Sequence, residues 1–459
     1  MEKTEKKRAT DELRYGNIGR LLLNYSIPAV ASMTVASVYN IIDRIFIGQW
    51  VGPLAIAGLA LTFPLMNLAI AFGSLVGSGA STMISIKLGE QQINSASRFL
   101  GNAVVINIIL GILLTVLGLW FLDPILYAFG ASPDTIPYAR DFMKVIFYGN
   151  IFSCTFFSLN NILRATGYPK KAMIITIGTV IINLLLAPIF IYYFQWGIKG
   201  AAWATVISQI IGAIVVVSHY FDKNNTLYFQ RRFLKLKSSI IGRIFEMGMS
   251  SFVINFCASI VVVILNYSLK SYGGDLAIAA FGIINSIGGL IFMLIFGFNL
   301  GMQPIVGYNY GAKQYDRVLR TLRYGLVIGT CVSTFGFLLG EIFPWYLARA
   351  FTSHQTLIDL TMQGMRIVVI TFPIIGGQIV ATSFFQAVGM PKVSIFLSMS
   401  RQLLLLIPAL LFLPYFFDLQ GVWIALPVSD VISCLLTAAV LLYHYRKMKR
   451  KIVNFNLQN

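Results

Sequence analysis

Charge is what this sequence has least of. Only 11% of its 459 residues are Asp, Glu, Lys or Arg, where a water-soluble domain carries about 25%. Acids are the scarcer sign, 17 against 35 basic residues, for a formal charge of +18. Cysteine is nearly absent. Cys154, Cys257, Cys331 and Cys434 each stand alone in an apolar run, which excludes a disulfide framework and a cysteine metal site and leaves them as small hydrophobes. The three histidines, His219, His354 and His444, fall at the ends of apolar runs. No HExxH, GxSxG or Walker A pattern occurs, nor a glycine-rich fingerprint after a strand, so the commonest hydrolytic, ATP-driven and dinucleotide chemistries have no residues to perform them. The first twenty residues hold no apolar signal core, and the first span is expected to act as an uncleaved signal.

Apolar residues fill the space that charge leaves, 57% of the chain at a mean hydropathy of +0.77. A soluble core needs far fewer, so the surplus must face lipid. Runs long enough to cross a bilayer, about 20 residues each, fall at 20–48, 54–84, 99–122, 138–162, 170–194 and 198–220. Six more fall at 240–268, 275–304, 318–343, 358–386, 393–416 and 420–444. The expected organisation is a tail at 1–19, a six-helix lobe at 20–220, a polar linker at 221–239, a second lobe at 240–445 and a tail at 446–459.

With the N-terminus inside, alternate connections carry 27 of the 35 basic residues on the inner side against six outside. That bias is how cytoplasmic loops are marked, so both termini are expected in the cytoplasm, and the positive charge does not indicate nucleic acid. Displacing the sequence by 222 residues lays Leu54-Ala55-Ile56-Ala57 on Leu276-Ala277-Ile278-Ala279, Gly79 on Gly301, Arg98 on Arg320, and Gly167, Pro169 and Lys170 on Gly389, Pro391 and Lys392. Six spans per half make the repeats parallel, and the interface of such repeats is where transporters usually hold their substrate path.

The order and spacing of several blocks resemble the multidrug and toxin extrusion (MATE) family, in its bacterial MepA-like branch. The blocks are Ser26 to Pro28, Tyr39 to Gly48, Leu54 to Ala57, Gly77 to Gly79 with Gly89, Arg164 to Pro169, Gly200 to Thr205, and Gln386 to Pro391. The resemblance spans nearly the whole chain. It implies an all-α membrane protein of twelve helices in two V-shaped lobes, working in the bacterial cytoplasmic (inner) membrane. It further implies secondary active efflux of lipophilic, often cationic molecules in exchange for H+ or Na+, with no other cofactor. The expected partners are small-molecule drugs and membrane lipid, with the chain acting as a monomer.

Two acids, Asp43 and Asp430, lie inside spans. An intramembrane carboxylate is costly and marks a functional site by default. Tyr39 and Asn40 precede Asp43 by one turn on a shared face, making an oxygen-rich pocket for H+ or Na+. The plainer alternative is an Asp43–Arg44 ion pair. The resemblance agrees on Asp43 and adds Asn183 and Thr205 as coupling ligands. Gln209, one turn beyond Thr205, is a further candidate. The family often has an acid where this chain has Ala187, and the acidic positions of its seventh and tenth spans fall near Ala258 and Gly377 here. The departure at Ala187 shifts the balance modestly toward H+, or toward a Na+ site with different ligands, and the coupling chemistry of the other two positions does not carry over. Arg401 and Asp430 are expected to form one buried ion pair. Phe63, Met66, Phe152, Phe156, Met293 and Phe384 are candidates to line a cavity for flat cations, although ordinary packing would use the same residues.

Three other readings compete. A flippase for a lipid-linked precursor would need a more basic cavity. An intramembrane enzyme would need paired catalytic groups. A passive channel would show flux without ion coupling.

Overall fold

The computed structural model describes the backbone of residues 11–129 and 131–458, and the side chains of these except Pro53, Lys451 and residues 453–458. Residues 1–10 of the expected N-terminal tail, and Asn459 of the C-terminal one, lie outside the described residues.

Among the described residues the chain forms helices and no strands. Within lipid, a helix satisfies its own backbone hydrogen bonds, which an open strand cannot do. The first half comprises α1 (Ile18–Trp50), α2 (Pro53–Gly89), α3 (Ile93–Trp120), the short α4 (Leu122–Ala128), α5 (Ile136–Ala165), α6 (Pro169–Pro188) and α7 (Ile198–His219). The second half comprises α8 (Ser238–Gly311), α9 (Tyr315–Ile342), the short α10 (Pro344–Arg349), α11 (Gln355–Val369), α12 (Phe372–Ala387), α13 (Pro391–Met399) and α14 (Ile407–Gln458). Proline opens α2, α6, α10 and α13, where its missing N–H has no intrahelical partner to lose.

Nine of the described helices are long and apolar enough to cross a membrane, and α11 with α12 makes one further span bent by 53°. Two of the nine are double. α8 changes direction at Gly274 (φ 66°) and α14 at Asp418 (φ 49°). Counted that way, the described helices make twelve crossings.

The duplication is written in the backbone. Left-handed φ values occur at Gly52 and Gly274, at Gln91 and Lys313, and at Gly167 and Gly389, each pair 222 residues apart. α3 and α9 begin and end at positions related by the same displacement. Before the last span one residue is lost, so that Gly197, also left-handed, corresponds to Asp418. The clearest difference between the halves is at one span. α5 runs unbroken, whereas Pro373 interrupts its counterpart between α11 and α12, because proline cannot continue the i to i−4 ladder.

Compact packing divides the chain differently from the repeat. Among the described residues, unit 1 holds residues 11–16 and Ala31–Asn255; unit 2 holds Asn17–Val30 and residues 256–458. The start of α8 therefore belongs to unit 1. There, a Cβ on Gly79 would lie 2.0 Å from the Ile244 carbonyl oxygen, and one on Gly248 would lie 1.7 Å from that of Leu75. The start of α1 belongs to unit 2. There, a Cβ on Gly301 would lie 2.5 Å from the Ser26 Cα, and the Ser26 hydroxyl donates to the Phe298 carbonyl at 3.4 Å. Only glycine admits backbones this close, the usual basis of helix packing in lipid.

Each unit encloses its own apolar core. Unit 1 packs Ile47, Leu126, Met143, Phe147 and Val206. Unit 2 packs Leu265, Leu269, Phe372, Leu410 and Trp423.

Candidate functional site

Unit 1 gathers its polar groups where α1, α6 and α7 meet. Asn183 donates through Nδ2 to the Tyr39 hydroxyl at 3.0 Å and to Thr205 Oγ1 at 3.1 Å. Tyr39 and Thr205 are themselves 3.1 Å apart, and the Thr205 hydroxyl donates to the Ala201 carbonyl, one turn back, at 3.1 Å. Counting hydrogens fixes the direction of these bonds. Both amide hydrogens of Asn183 are used and the Thr205 proton goes to Ala201, so the Tyr39 proton goes to Thr205.

No donor in the cluster is then left over, yet two buried acceptors remain. Asn183 Oδ1 and Asp43 Oδ1 have no hydrogen-bond partner. Asp43 is 8% exposed and belongs to none of the ion pairs among the described residues. The simple Asp43–Arg44 pair is not made. Arg44 instead lays its guanidinium over the Phe63 ring, 4.5 Å from the centroid. An unpartnered buried carboxylate oxygen is expensive, and a proton or a small cation is what would complete it. Just beyond the cluster, Pro188 removes the N–H that the Leu184 carbonyl would accept, and the helix continues as a π turn at Ile189–Tyr193. Ala187 is buried in the apolar core and adds no second carboxylate.

The other two candidates from these helices are engaged elsewhere. Asn40 is exposed and returns its Nδ2 to the Ala36 carbonyl at 2.9 Å. Its position three residues before Asp43 puts it at the edge of the shared face rather than in the cluster. Gln209 accepts from the Ser153 hydroxyl of α5.

In unit 2, Arg401 Nε donates to Asp430 Oδ1 at 2.8 Å, and the Thr371 hydroxyl donates to Asp430 Oδ2 at 3.2 Å. Arg401 lies in a π segment at Ser400–Leu406. Thr371 sits at the break that Pro373 creates. The kink thus delivers a third member that sequence reading missed. A neighbouring set extends along the same face of α14. Gln378 donates to Ser433, and Cys434 donates to Gln378 Oε1 at 3.6 Å. Polar residues at Thr371, Gln378 and Ser433, inside otherwise apolar spans, were the available signal.

The aromatic and methionine candidates separate by exposure. Phe156 and Phe384 are 3% and 1% exposed, Phe156 against Phe157 and Phe384 against Phe385. Both are buried by packing, the ordinary role weighed beside cavity lining for these residue types. Met66 is packed against the core of unit 1 and touches Thr62. Met293 is partly buried. Phe152 and Phe63 are 40% and 42% exposed, Phe63 beneath Arg44.

These features define a multi-pass membrane protein built from two parallel helical repeats, with a buried acceptor cluster in one unit and a buried ion pair in the other. The sequence pattern of the MatE family matches residues 28–189 and 250–411, two segments displaced by the same 222 residues as the repeat. The chain belongs to the MatE family. It is 26% identical over 430 residues to the multidrug export protein MepA of Staphylococcus haemolyticus, covering 94% of each chain. It is 26% identical over 432 residues to MepA of Staphylococcus aureus, covering 93% of this chain and 94% of that one. Among solved structures it resembles the outward-facing conformation of a multidrug resistance MATE family transporter, with a TM-score of 0.90 and 23% identity over 96% of this chain and 98% of the other. A MOP superfamily transporter from Pyrococcus furiosus, described as having a binding pocket of reversed polarity, also aligns at a TM-score of 0.90, with 22% identity over 95% and 98% of the two chains.

Proposed function

We propose that this chain is a secondary active exporter of lipophilic, often cationic small molecules. It exchanges them for a proton, or in a second form for Na+, by alternating access of its two lobes with both termini in the cytoplasm. The observation that carries this reading is the pair of unpartnered buried acceptors, Asp43 Oδ1 and Asn183 Oδ1, beside the Tyr39–Asn183–Thr205 network. Its relatives MepA are multidrug export proteins, which supports the same class of substrate here.

A driving ion needs a group whose state changes during transport. Asp43 has no carboxylate partner and no donor in the described structure, so binding H+ or Na+ there completes an acceptor instead of breaking a bond. Releasing the ion leaves a bare carboxylate in an apolar place. That cost couples ion occupancy to the conformation around the site. A single carboxylate flanked by neutral oxygens favours a proton over Na+, which wants several hard oxygen ligands. The plainer structural role suits Arg401 and Asp430, since each neutralises the other.

The test is ethidium movement in proteoliposomes under an imposed proton gradient and, separately, an imposed sodium gradient. The proton gradient is expected to drive ethidium, and Asp43→Asn is expected to abolish that movement while the protein still folds. Undiminished coupled transport in the variant would reject Asp43 as the coupling site. Movement driven by sodium alone would reject the proton.

A further inference from the structure

The cytoplasm-assigned end of α14 carries a feature that transport as described does not use. A groove of about 550 Å³ is lined by Ala439, Leu442, Tyr443, Arg446, Lys447 and Arg450. Steps of three and four residues put all six on one helix face, with buried Met448 pointing away from it.

The face changes character along its length. Ala439 and Leu442 make an apolar start. Tyr443, 65% exposed, is the amphipathic residue type that settles at a membrane–water boundary. Three cations follow. From Tyr443 to Lys447 the helix advances about 6 Å, comparable to the depth of one headgroup layer.

None of the three cations is neutralised by an acid among the described residues. Arg446, Lys447 and Arg450 enter none of the ion pairs among the described residues, and residues 431–459 contain no acid. The equivalent stretch of the first repeat, residues 218–229, holds one lysine, Lys223, next to Asp222, and no arginine. The cationic face is therefore particular to the last helix and is not inherited from the duplication.

We propose that this groove is a binding site for one anionic phospholipid. Its phosphate sits among Arg446, Lys447 and Arg450, and its glycerol and upper acyl chain run along Tyr443, Leu442 and Ala439. The counter-charge that the described residues do not supply comes from the lipid, as with other basic clusters at the end of a spanning helix. Arginine suits the phosphate because its planar fork makes two parallel bonds. The apolar upper half distinguishes a lipid from a free anion, which has nothing to place there.

The experiment is native mass spectrometry of the detergent-purified full-length protein, titrated with phosphatidylglycerol or with phosphatidylcholine of the same acyl chains. One phosphatidylglycerol is expected to remain bound, roughly tenfold more tightly than phosphatidylcholine. Arg446→Gln and Arg450→Gln are each expected to weaken it by about fivefold, and the triple variant with Lys447→Gln should lose the preference. Lys449→Gln removes the same charge from the same helix outside the groove, and should retain it. Equal retention of the two lipids by the unaltered protein would overturn the proposal, as would a preference that survives in the triple variant. An equal loss in Lys449→Gln would assign the effect to diffuse charge, and displacement by inorganic phosphate would assign it to a free-anion site. Either also overturns it.

Discussion

The two repeats share a backbone and differ in where they keep polar groups. In the first, Tyr39 and Asp43 stand where the second has Val261 and Leu265, and Thr205 stands where the second has Leu426. In the second, Asp430 is bound by Arg401 and Thr371. The first has Gln209, Thr179 and Gly149 at those places. No arginine stands opposite there, and an amide takes the place of the carboxylate, with Gln209 accepting from the Ser153 hydroxyl. Duplication thus supplied two related frames. One was left with an unpaired acid that an ion can complete, and the other was closed by an internal salt bridge. The first frame keeps an open acceptor and the second a closed pair.

The largest expected contrast is between the same change made at the two acids. Asp430→Asn strands the Arg401 guanidinium and should destabilise the protein by about 3 kcal/mol, read as a lowered melting temperature in detergent. Asp43→Asn strands nothing and should leave the melting temperature unchanged or raised. If the two variants melted alike, the distinction between an open and a closed frame would be lost. Equivalence is tested at the glycines. A Cβ at Gly79 meets the Ile244 carbonyl oxygen and one at Gly301 meets Ser26, so Gly79→Ala and Gly301→Ala should each cost about 1–3 kcal/mol. Loss of stability in only one would show that the second contact is looser than its backbone implies. The smallest effect belongs to Thr371→Val, about 1 kcal/mol for one hydrogen bond. It should vanish once Arg401 and Asp430 are both replaced by leucine, because Thr371 serves only that carboxylate in the network.

Much of the frame was legible in the residues. Gly167 and Gly389 matched at the fixed displacement, and each has the left-handed φ that glycine tolerates best. The pairing of Arg401 with Asp430 followed from two opposite charges on spans joined by a short connection. What the residues alone left open has a common cause. Asn40 is next to Tyr39 in sequence, yet its amide returns to its own helix. Phe156 and Phe384 have the chemistry of a cavity wall, but each has its surface covered. Arg44 adjoins Asp43 along the chain and still turns to Phe63. Residue type states what a side chain can do, and neighbours tens or hundreds of positions away decide what it does.

The amino-acid sequence alone determined that this is a lipid-embedded duplicated helical protein, because hydropathy, charge bias and repetition are sums over many residues that no single contact can reverse. Only the tertiary structure decided which acceptors are left without a hydrogen. That outcome turns on distances near 3 Å between Tyr39, Asn183 and Thr205, residues on three different helices, and no one-dimensional pattern records it.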